Sequence, residues 1–421
     1  MGRSLGLAAL AATLPLLAAC SGASNVPAVP STALTSSVAH ASVIRSCATL
    51  LPGDTARCFA QFRTDVANGR GTLGVMRNAS PSGYGPSQLQ SAYALPSSTG
   101  GSGQTVAIVD AYNDPDAASD LATYRSQYGL PACTVASGCF TQISQTGSKT
   151  KLPKNNGGWA EEESLDMDMV SAVCPNCKII LVEATSATNA NLAAAENEAA
   201  SLGANVITNS YGGSESGASN SAYSHTGIVI VASAGDSGYS EGSQQPCSYA
   251  SVVCAGGTSL STANNSRGWT EVVWNDLSEG DGATGSGCSS LVSKPSWQTD
   301  KGCTKRSQSD VSFDADPLTG VAVYDSYAYE GYKGWLVFGG TSVASPALAS
   351  VFALAGNASS LGPNAASPIW ADAGTGLNSV TSGNNGTCSA SYKYICTAGT
   401  GTDGVYSGPA GWGTPNGTSD F

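Results

Sequence analysis

An alternation of strand-like and helix-like segments runs from about residue 105 to residue 235. The strand-like runs are apolar throughout, as in strands that are covered on both faces of a sheet. The predicted strands are residues 105–112, 178–184, 205–212 and 227–235, and the predicted helices are residues 114–129, 161–173 and 189–203. This order predicts an α/β fold with a mostly parallel central sheet and helices on both faces. A chain of 421 residues can bury the core of one large domain of this kind.

The first twenty residues have the composition of an export signal. Arg3 is followed by a short apolar run that ends in Leu17-Ala18-Ala19-Cys20. The run is short for a membrane span, and small residues before a cysteine are typical of a lipoprotein signal, so we expect acylation of Cys20 or ordinary signal cleavage nearby. Residues 21–81 are then expected to form a tether with a short segment around Cys47 and Cys58, and the main domain is expected at residues 82–421.

The chain has thirteen cysteines, and all except Cys20 fall into neighbouring pairs. The pairs are Cys47/Cys58, Cys133/Cys139, Cys174/Cys177, Cys247/Cys254, Cys288/Cys303 and Cys388/Cys396. Such spacing predicts disulfides in an oxidising compartment. The CxxC at 174–177 is also compatible with a redox centre or half of a zinc site, but no second CxxC or HxxxH accompanies it, which favours a structural bridge.

Charge argues against nucleic acid as a partner, because 30 acidic residues outnumber 18 basic residues and leave a net charge of −12. We expect a monomer, with lipid anchoring through Cys20 if that residue is acylated.

Ser342 is the first candidate for chemistry. It lies in GGTSVASP, residues 339–346, just before an apolar helical segment, so its hydroxyl would be near the positive end of a helix dipole. The alternative is a simple N-cap serine. The histidines of the chain are His40, in the tether, and His225, in a polar segment, and neither has the context of a catalytic base.

Carboxylates are the remaining candidates for a base. Glu162 and Asp166 have the i, i+4 spacing that places them on one helix face, where they could share a proton, although a solvated acidic face is the alternative. Asp236 follows the strand 227–235 at its carboxyl end, where it could donate a hydrogen bond to an oxyanion if protonated. A turn aspartate is the alternative for this residue.

The order of these motifs resembles the sedolisins, serine-carboxyl peptidases with a subtilisin-like fold adapted to acid. The matching segments are Glu162-Glu163-Ser164-Leu165-Asp166, Gly235-Asp236-Ser237-Gly238 and Gly340-Thr341-Ser342. The resemblance implies an endopeptidase acting on polypeptides without a cofactor. It also implies that Glu162 is the base toward Ser342, that Asp166 orients Glu162, and that Asp236 forms part of the oxyanion hole.

Two features depart from the sedolisin pattern. The stretches that hold calcium in the family have Ser379 and Ser407 where carboxylates are expected, so we expect calcium binding to be lost or weak. About sixty residues after Cys20 are too few for the family's long folded propeptide, which argues against activation by removal of a prodomain. Alternatives to an active acid peptidase are a subtilisin-type enzyme using Asp110, which lacks a suitable histidine, and a tethered binding protein that has lost turnover.

Overall fold

The computed structural model describes residues 1–2, 42–66, 81–216, 220–401 and 404–421. The remainder of the export signal, Cys20 and the tether up to residue 41 lie outside the described residues, as does His40. The strands are β1 (Val43–Arg45), β2 (Arg57–Cys58), β3 (Gln61–Arg63), β4 (Thr105–Ala111), β5 (Phe140–Ser144), β6 (Lys178–Ala184), β7 (Val206–Asn209), β8 (Tyr211–Ser214), β9 (Val229–Ser233), β10 (Gln244–Gln245), β11 (Val252–Thr262), β12 (Trp269–Val273), β13 (Asn275–Asp276), β14 (Gly282–Ala283), β15 (Gly287–Ser293), β16 (Lys305–Gln308), β17 (Val311–Asp314), β18 (Val321–Tyr329) and β19 (Tyr332–Gly339). The helices are α1 (Pro86–Ala92), α2 (Ala117–Gln127), α3 (Gly157–Val173), α4 (Asn189–Ser201), α5 (Thr341–Ala355), α6 (Ala358–Leu361) and α7 (Ala366–Ala371).

The central sheet has the strand order β12-β11-β9-β7-β4-β6-β5, and β17 also pairs with β11. Its neighbouring strands are parallel except for β12, which is antiparallel to β11. The prediction of a mostly parallel sheet is therefore confirmed. The predicted strands correspond to β4, β6, β7 with β8, and β9, whereas β11 and the β18–β19 hairpin were not predicted.

Helices cover both faces of this sheet. Alternate residues of each strand point to opposite faces, so each strand contributes apolar side chains to both. Val106 and Ile108 of β4 belong to a core cluster with residues of α3 and α5. Ala107 and Val109 belong to a second cluster with residues of α4. The two cores explain why the strands are apolar throughout.

Residues 43–63 lie before the expected start of the domain at residue 82, yet they pack within it. β3 pairs with β1 on one side and with β19 on the other, and β2 pairs with β8. We call residues 43–63 the N-terminal loop. The segment that the sequence analysis treated as part of a tether thus contributes strands to two of the smaller sheets of the fold.

All six predicted disulfides are present. Cys174 and Cys177 are fully buried and joined to each other at the end of α3, so this CxxC is a structural bridge. None of the helices in the described part of the chain is long and apolar enough to cross a membrane.

Candidate active site

The predicted residues converge from three elements at the carboxyl edge of the central sheet. Ser342 is the second residue of α5, Glu162 and Asp166 lie on α3, and Asp236 follows β9. The tight approach of β19 to α5 depends on Gly340, whose φ of 94° is one that side chains disfavour. The side chains are 0 to 1% exposed, so the cluster is sealed from solvent in this conformation.

Ser342 and Glu162 are in direct contact. The Ser342 hydroxyl donates a hydrogen bond of 2.8 Å to Glu162 Oε2. The same carboxylate oxygen accepts backbone N–H groups of Phe59 at 3.0 Å and of Ala60 at 2.7 Å. This geometry places a carboxylate where it can take the proton of the serine hydroxyl.

Asp166 lies one helical turn along α3 from Glu162. It accepts a hydrogen bond of 2.7 Å from the Ser210 hydroxyl through Oδ1. Its other oxygen and Oε1 of Glu162 are buried and have no hydrogen-bond partner among the described residues. A proton held between the two carboxyl groups would satisfy both atoms, because a protonated carboxyl donates where a carboxylate only accepts.

Both carboxyl groups of this pair have perturbed acidities. Burial raises the pKa of Glu162 well above its usual range, the Asp166 carboxylate raises it further, and the Ser342 hydrogen bond lowers it. Burial likewise raises the pKa of Asp166, and the Ser210 hydrogen bond lowers it. Two buried like charges on one helix face are unfavourable, so both shifts favour a protonated carboxyl group in this pair.

Asp236 contacts Thr341, the residue before Ser342. Its Oδ1 accepts the Thr341 N–H at 2.8 Å and the Thr341 hydroxyl at 2.7 Å, and its Oδ2 accepts the Gln61 side-chain amide at 2.7 Å. Burial raises the pKa of Asp236 to about 6, against the lowering effect of these hydrogen bonds and of Arg45. Below pH 6 the residue is therefore a neutral acid that can donate a hydrogen bond.

A profile of the subtilase family matches residues 151–369, more than half of the chain. The chain belongs to the subtilase family. Two curated relatives place it with the sedolisins within this fold. The chain is 30% identical to kumamolisin of Bacillus sp. (strain MN-32) over 305 residues, which are 66% of this chain and 53% of that protein. It is 30% identical to sedolisin of Pseudomonas sp. (strain 101) over 375 residues, which are 79% of this chain and 60% of that protein.

A solved structure supports the same assignment. Pseudomonas sedolisin, a serine-carboxyl proteinase complexed with two molecules of pseudo-iodotyrostatin, superposes with a TM-score of 0.66 and 27% identity. The match covers 80% of this chain and 96% of that chain. The chain spans little more than half the length of the curated relatives it matches.

Among the described residues, no histidine forms a hydrogen bond with Ser342, whose hydroxyl bonds to Glu162 and to the Ser210 carbonyl oxygen. His225 precedes β9, whereas Asp236 follows it, so the length of this strand separates His225 from the cluster. Asp110, the acid of the subtilisin-type alternative, is the last residue but one of β4 and is fully buried. Neither of its carboxylate oxygens has a hydrogen-bond partner among the described residues. Burial raises the pKa of Asp110, and the carboxylates of Asp166 and Glu162 raise it further, so it belongs to the same group of acids.

The calcium site implied by the sedolisin resemblance does not fit the residues that this chain provides. Ser379 is exposed, and Ser407 is buried with its hydroxyl accepting a hydrogen bond from the Ala410 N–H. Neither position offers the anionic oxygen that a hard cation prefers. The loss of calcium binding stays a prediction.

Two contributors to the site were not predicted. Ser210 connects Asp166 to the serine, because its hydroxyl donates to Asp166 and its carbonyl oxygen lies 3.2 Å from Ser342 Oγ. The N-terminal loop places Phe59, Ala60 and Gln61 across the cluster. The sequence around Ser210 and around Phe59 gives no local signal for these contacts, because each contact joins segments that are distant in sequence.

Proposed function

We propose that this sedolisin-type chain is an exported endopeptidase that hydrolyses polypeptides in acid, with Ser342 as nucleophile. The observation that carries the proposal is the 2.8 Å hydrogen bond from the Ser342 hydroxyl to a carboxylate rather than to an imidazole. A carboxyl group can serve as a base at a pH where histidine is already protonated, so this pairing suits acidic solution.

Four residues have separate roles in the proposed reaction. Ser342 Oγ attacks the substrate carbonyl carbon while Glu162 accepts the hydroxyl proton. Asp166 orients Glu162 and shares a proton with it. Asp236 in its neutral form, together with the backbone N–H groups at the start of α5, stabilises the oxyanion. Glu162 then returns the proton to the leaving nitrogen, and water releases the acyl group from Ser342.

Export is supported by the six disulfides and by the sequence of residues 1–20. Lipid attachment through Cys20 is part of the same proposal. Labelling cells with a radioactive fatty acid would reveal the attachment in the parent chain, and it should be lost in Cys20→Ser.

The experiment that tests the activity compares the parent chain with Ser342→Ala on an unfolded protein from pH 2 to pH 8, after each has been incubated in acid. We expect the parent to be active in acid and Ser342→Ala to be slower by at least about a thousandfold with unchanged thermal unfolding. A catalytically silent binding protein is the second candidate. Equal and negligible degradation by both proteins would favour it.

A further inference from the structure

Three carboxylates outside the candidate active site meet where α2 packs against β18. Asp114 lies in the turn between β4 and α2, Asp120 lies in the first turn of α2, and Asp325 lies within β18. Each side chain offers an oxygen atom that lies within 4.8 Å of those of the other two. All three residues are 0 to 1% exposed, so solvent screens their charges poorly. The fold thus brings together acidic groups from segments that are distant in sequence.

The hydrogen bonds that these carboxylates accept come from neutral groups. Asp120 accepts the Ser326 N–H at 2.6 Å and the Ser326 hydroxyl at 2.8 Å. Asp114 Oδ1 accepts the Asp116 N–H at 2.8 Å. None of the salt bridges among the described residues includes Asp114, Asp120 or Asp325. The negative charge of the cluster is therefore not paired with a basic side chain in the described part of the chain.

Asp325 provides an observation that is independent of this clustering. Its Oδ1 accepts the Tyr327 N–H at 3.2 Å, whereas its Oδ2 is buried and has no hydrogen-bond partner among the described residues. Because the carboxyl group belongs to the cluster, this oxygen lies beside the carboxylates of Asp114 and Asp120. A buried acceptor that has lost water without gaining a partner is unfavourable, so the position calls for a ligand.

A hard divalent cation fits the arrangement. Calcium binds oxygen ligands at about 2.3–2.6 Å, so two oxygens on one calcium ion lie no more than about 5 Å apart. The spacing of the three carboxylates meets this limit. The cluster offers oxygen ligands only, whereas zinc and copper favour nitrogen and sulfur ligands. An ion at this place would also provide the missing partner of Asp325 Oδ2.

Without an ion, protons neutralise the same oxygens. Burial, together with the neighbouring carboxylates, raises the pKa of Asp114 to about 7 and that of Asp325 to about 8. Metal ligands must be deprotonated, so protons and a cation compete for the cluster. The chain in a chelator or in acid therefore holds protons here, and binding of the cation is favoured in neutral solution.

We propose that Asp114, Asp120 and Asp325 bind one calcium ion, which joins β18 to α2 and to the turn before this helix. One oxygen of each carboxylate coordinates the ion, and water completes its shell. The site is separate from the stretches around Ser379 and Ser407, where the sedolisin resemblance places calcium. Its role is to stabilise the fold in neutral solution that contains calcium, and it does not depend on the proposed peptidase activity.

The test uses the full chain with Ser342→Ala, which cannot digest itself, and calcium alone as the probe. Isothermal titration calorimetry at pH 7.5 should show one calcium ion per chain. Calcium at about a hundred times its dissociation constant should raise the unfolding temperature by about 3 °C relative to a chelator. Absence of binding and of any shift at this pH would overturn the proposal.

Asp325→Asn in the same background locates the ion. It keeps the shape of the side chain but removes its charge, so we expect calcium affinity to fall at least about a hundredfold. Less than about a fifth of the temperature shift should then remain at the same calcium concentration. In a chelator the variant should unfold at the parent temperature or above it, because a carboxamide can be buried without taking up a proton.

Glu196→Gln is the matched control for this variant. Glu196 is equally buried, but it lies on α4 and outside the cluster. This chain should therefore keep the full response to calcium. A response that persists in Asp325→Asn would place the ion elsewhere, and a response lost in both variants would show that it does not depend on the cluster. Either outcome overturns the proposed site.

Discussion

Three donors compete for one oxygen of Glu162, namely the Ser342 hydroxyl and the backbone N–H groups of Phe59 and Ala60. A carboxylate saturated in this way binds its own proton less readily, which opposes the effect of burial. The pKa of Glu162 is nevertheless raised well above its usual range, because burial and the neighbouring Asp166 carboxylate outweigh these hydrogen bonds. At the scale of single residues the site works through the balance between these two influences on Glu162.

Glu162→Gln should abolish this base while it conserves shape. We expect the rate on an unfolded protein at pH 4 to fall by about a hundredfold to ten-thousandfold, because a carboxamide cannot accept the serine proton. Glu163→Gln is a matched control, since Glu163 is equally buried on the same helix but accepts the Asp114 N–H. Initial rates and thermal unfolding of both variants check this, and equal losses in the two variants would contradict the role of Glu162.

Asp236→Asn should change the pH profile rather than only the rate. The pKa of Asp236 is raised by burial to about 6, so the neutral donor is present below that pH and is lost as pH rises through it. A carboxamide donates at every pH but more weakly to an oxyanion, so we expect about a tenfold loss at pH 4 that narrows above pH 7.

The measurement for Asp236 is the ratio of kcat for the variant to kcat for the parent between pH 3 and pH 8. Asp276→Asn is the control, because the Asp276 pKa is raised by burial to about 7 while its carboxylate accepts a hydrogen bond from Trp274 instead of from the site. A ratio that does not change with pH for Asp236→Asn would speak against its role at the oxyanion.

At the scale of elements, the site depends on where α5 begins and on what passes in front of it. Gly340 and Gly356 flank α5, and both have positive φ angles, of 94° and 72°. Only Gly340 faces the cleft, where a Cβ would overlap the Phe59 carbonyl oxygen. A Cβ at Gly356 would have only the Gln104 side chain nearby, at 3.8 Å.

Comparing Gly340→Ala with Gly356→Ala should therefore separate the effect of backbone strain on stability from the effect of a blocked site on turnover. Gly356→Ala should lose about 1–2 kcal/mol of stability, because alanine disfavours positive φ, and Gly340→Ala should lose more, because its methyl group also overlaps the Phe59 carbonyl oxygen. Only Gly340→Ala should lose nearly all turnover, since its methyl group would lie 2.7 Å from Asp236 Oδ2, at the start of α5 where Ser342 is held. Thermal unfolding and kcat/KM of the two variants test this, and comparable turnover in both would contradict the proposed role of Asp236 and the start of α5 in the reaction.

The elements that the sequence predicted well are those with a strong local pattern. β4, β6 and α3 were predicted within a few residues, and the six disulfides were found from spacing alone. The contact of α3 with the start of α5 was suggested only by resemblance, because no local pattern relates Glu162 to Ser342. The place of the N-terminal loop could not be predicted, since its short strands obtain their stability from pairing with β8 and β19.

At the scale of the whole molecule, the described residues include buried acids that form no salt bridge with a basic side chain. Asp114, Glu183 and Asp325 have no exposed surface, and burial raises their pKa values to about 7, about 8 and about 8. Their pKa values in the unfolded chain are about 4. The folded chain therefore binds more protons than the unfolded chain between pH 4 and pH 8.

This excess of bound protons predicts a fold that is most stable in acid. The contribution of a raised carboxyl pKa is fully present below the unfolded value near 4 and is lost as pH rises through the folded value. Each such group costs about 1.4 kcal/mol of unfolding free energy per pH unit across that interval, so denaturant midpoints should fall steadily from pH 4 to pH 8. The measurement uses the Ser342→Ala chain, which cannot digest itself. Adding Asp325→Asn should reduce the fall of unfolding free energy with pH by the contribution of one group, about 1.4 kcal/mol per pH unit. Stability that stays constant or rises up to pH 8 would mean that these carboxyl groups are ionised in the fold, which their burial without an adjacent cation makes unfavourable.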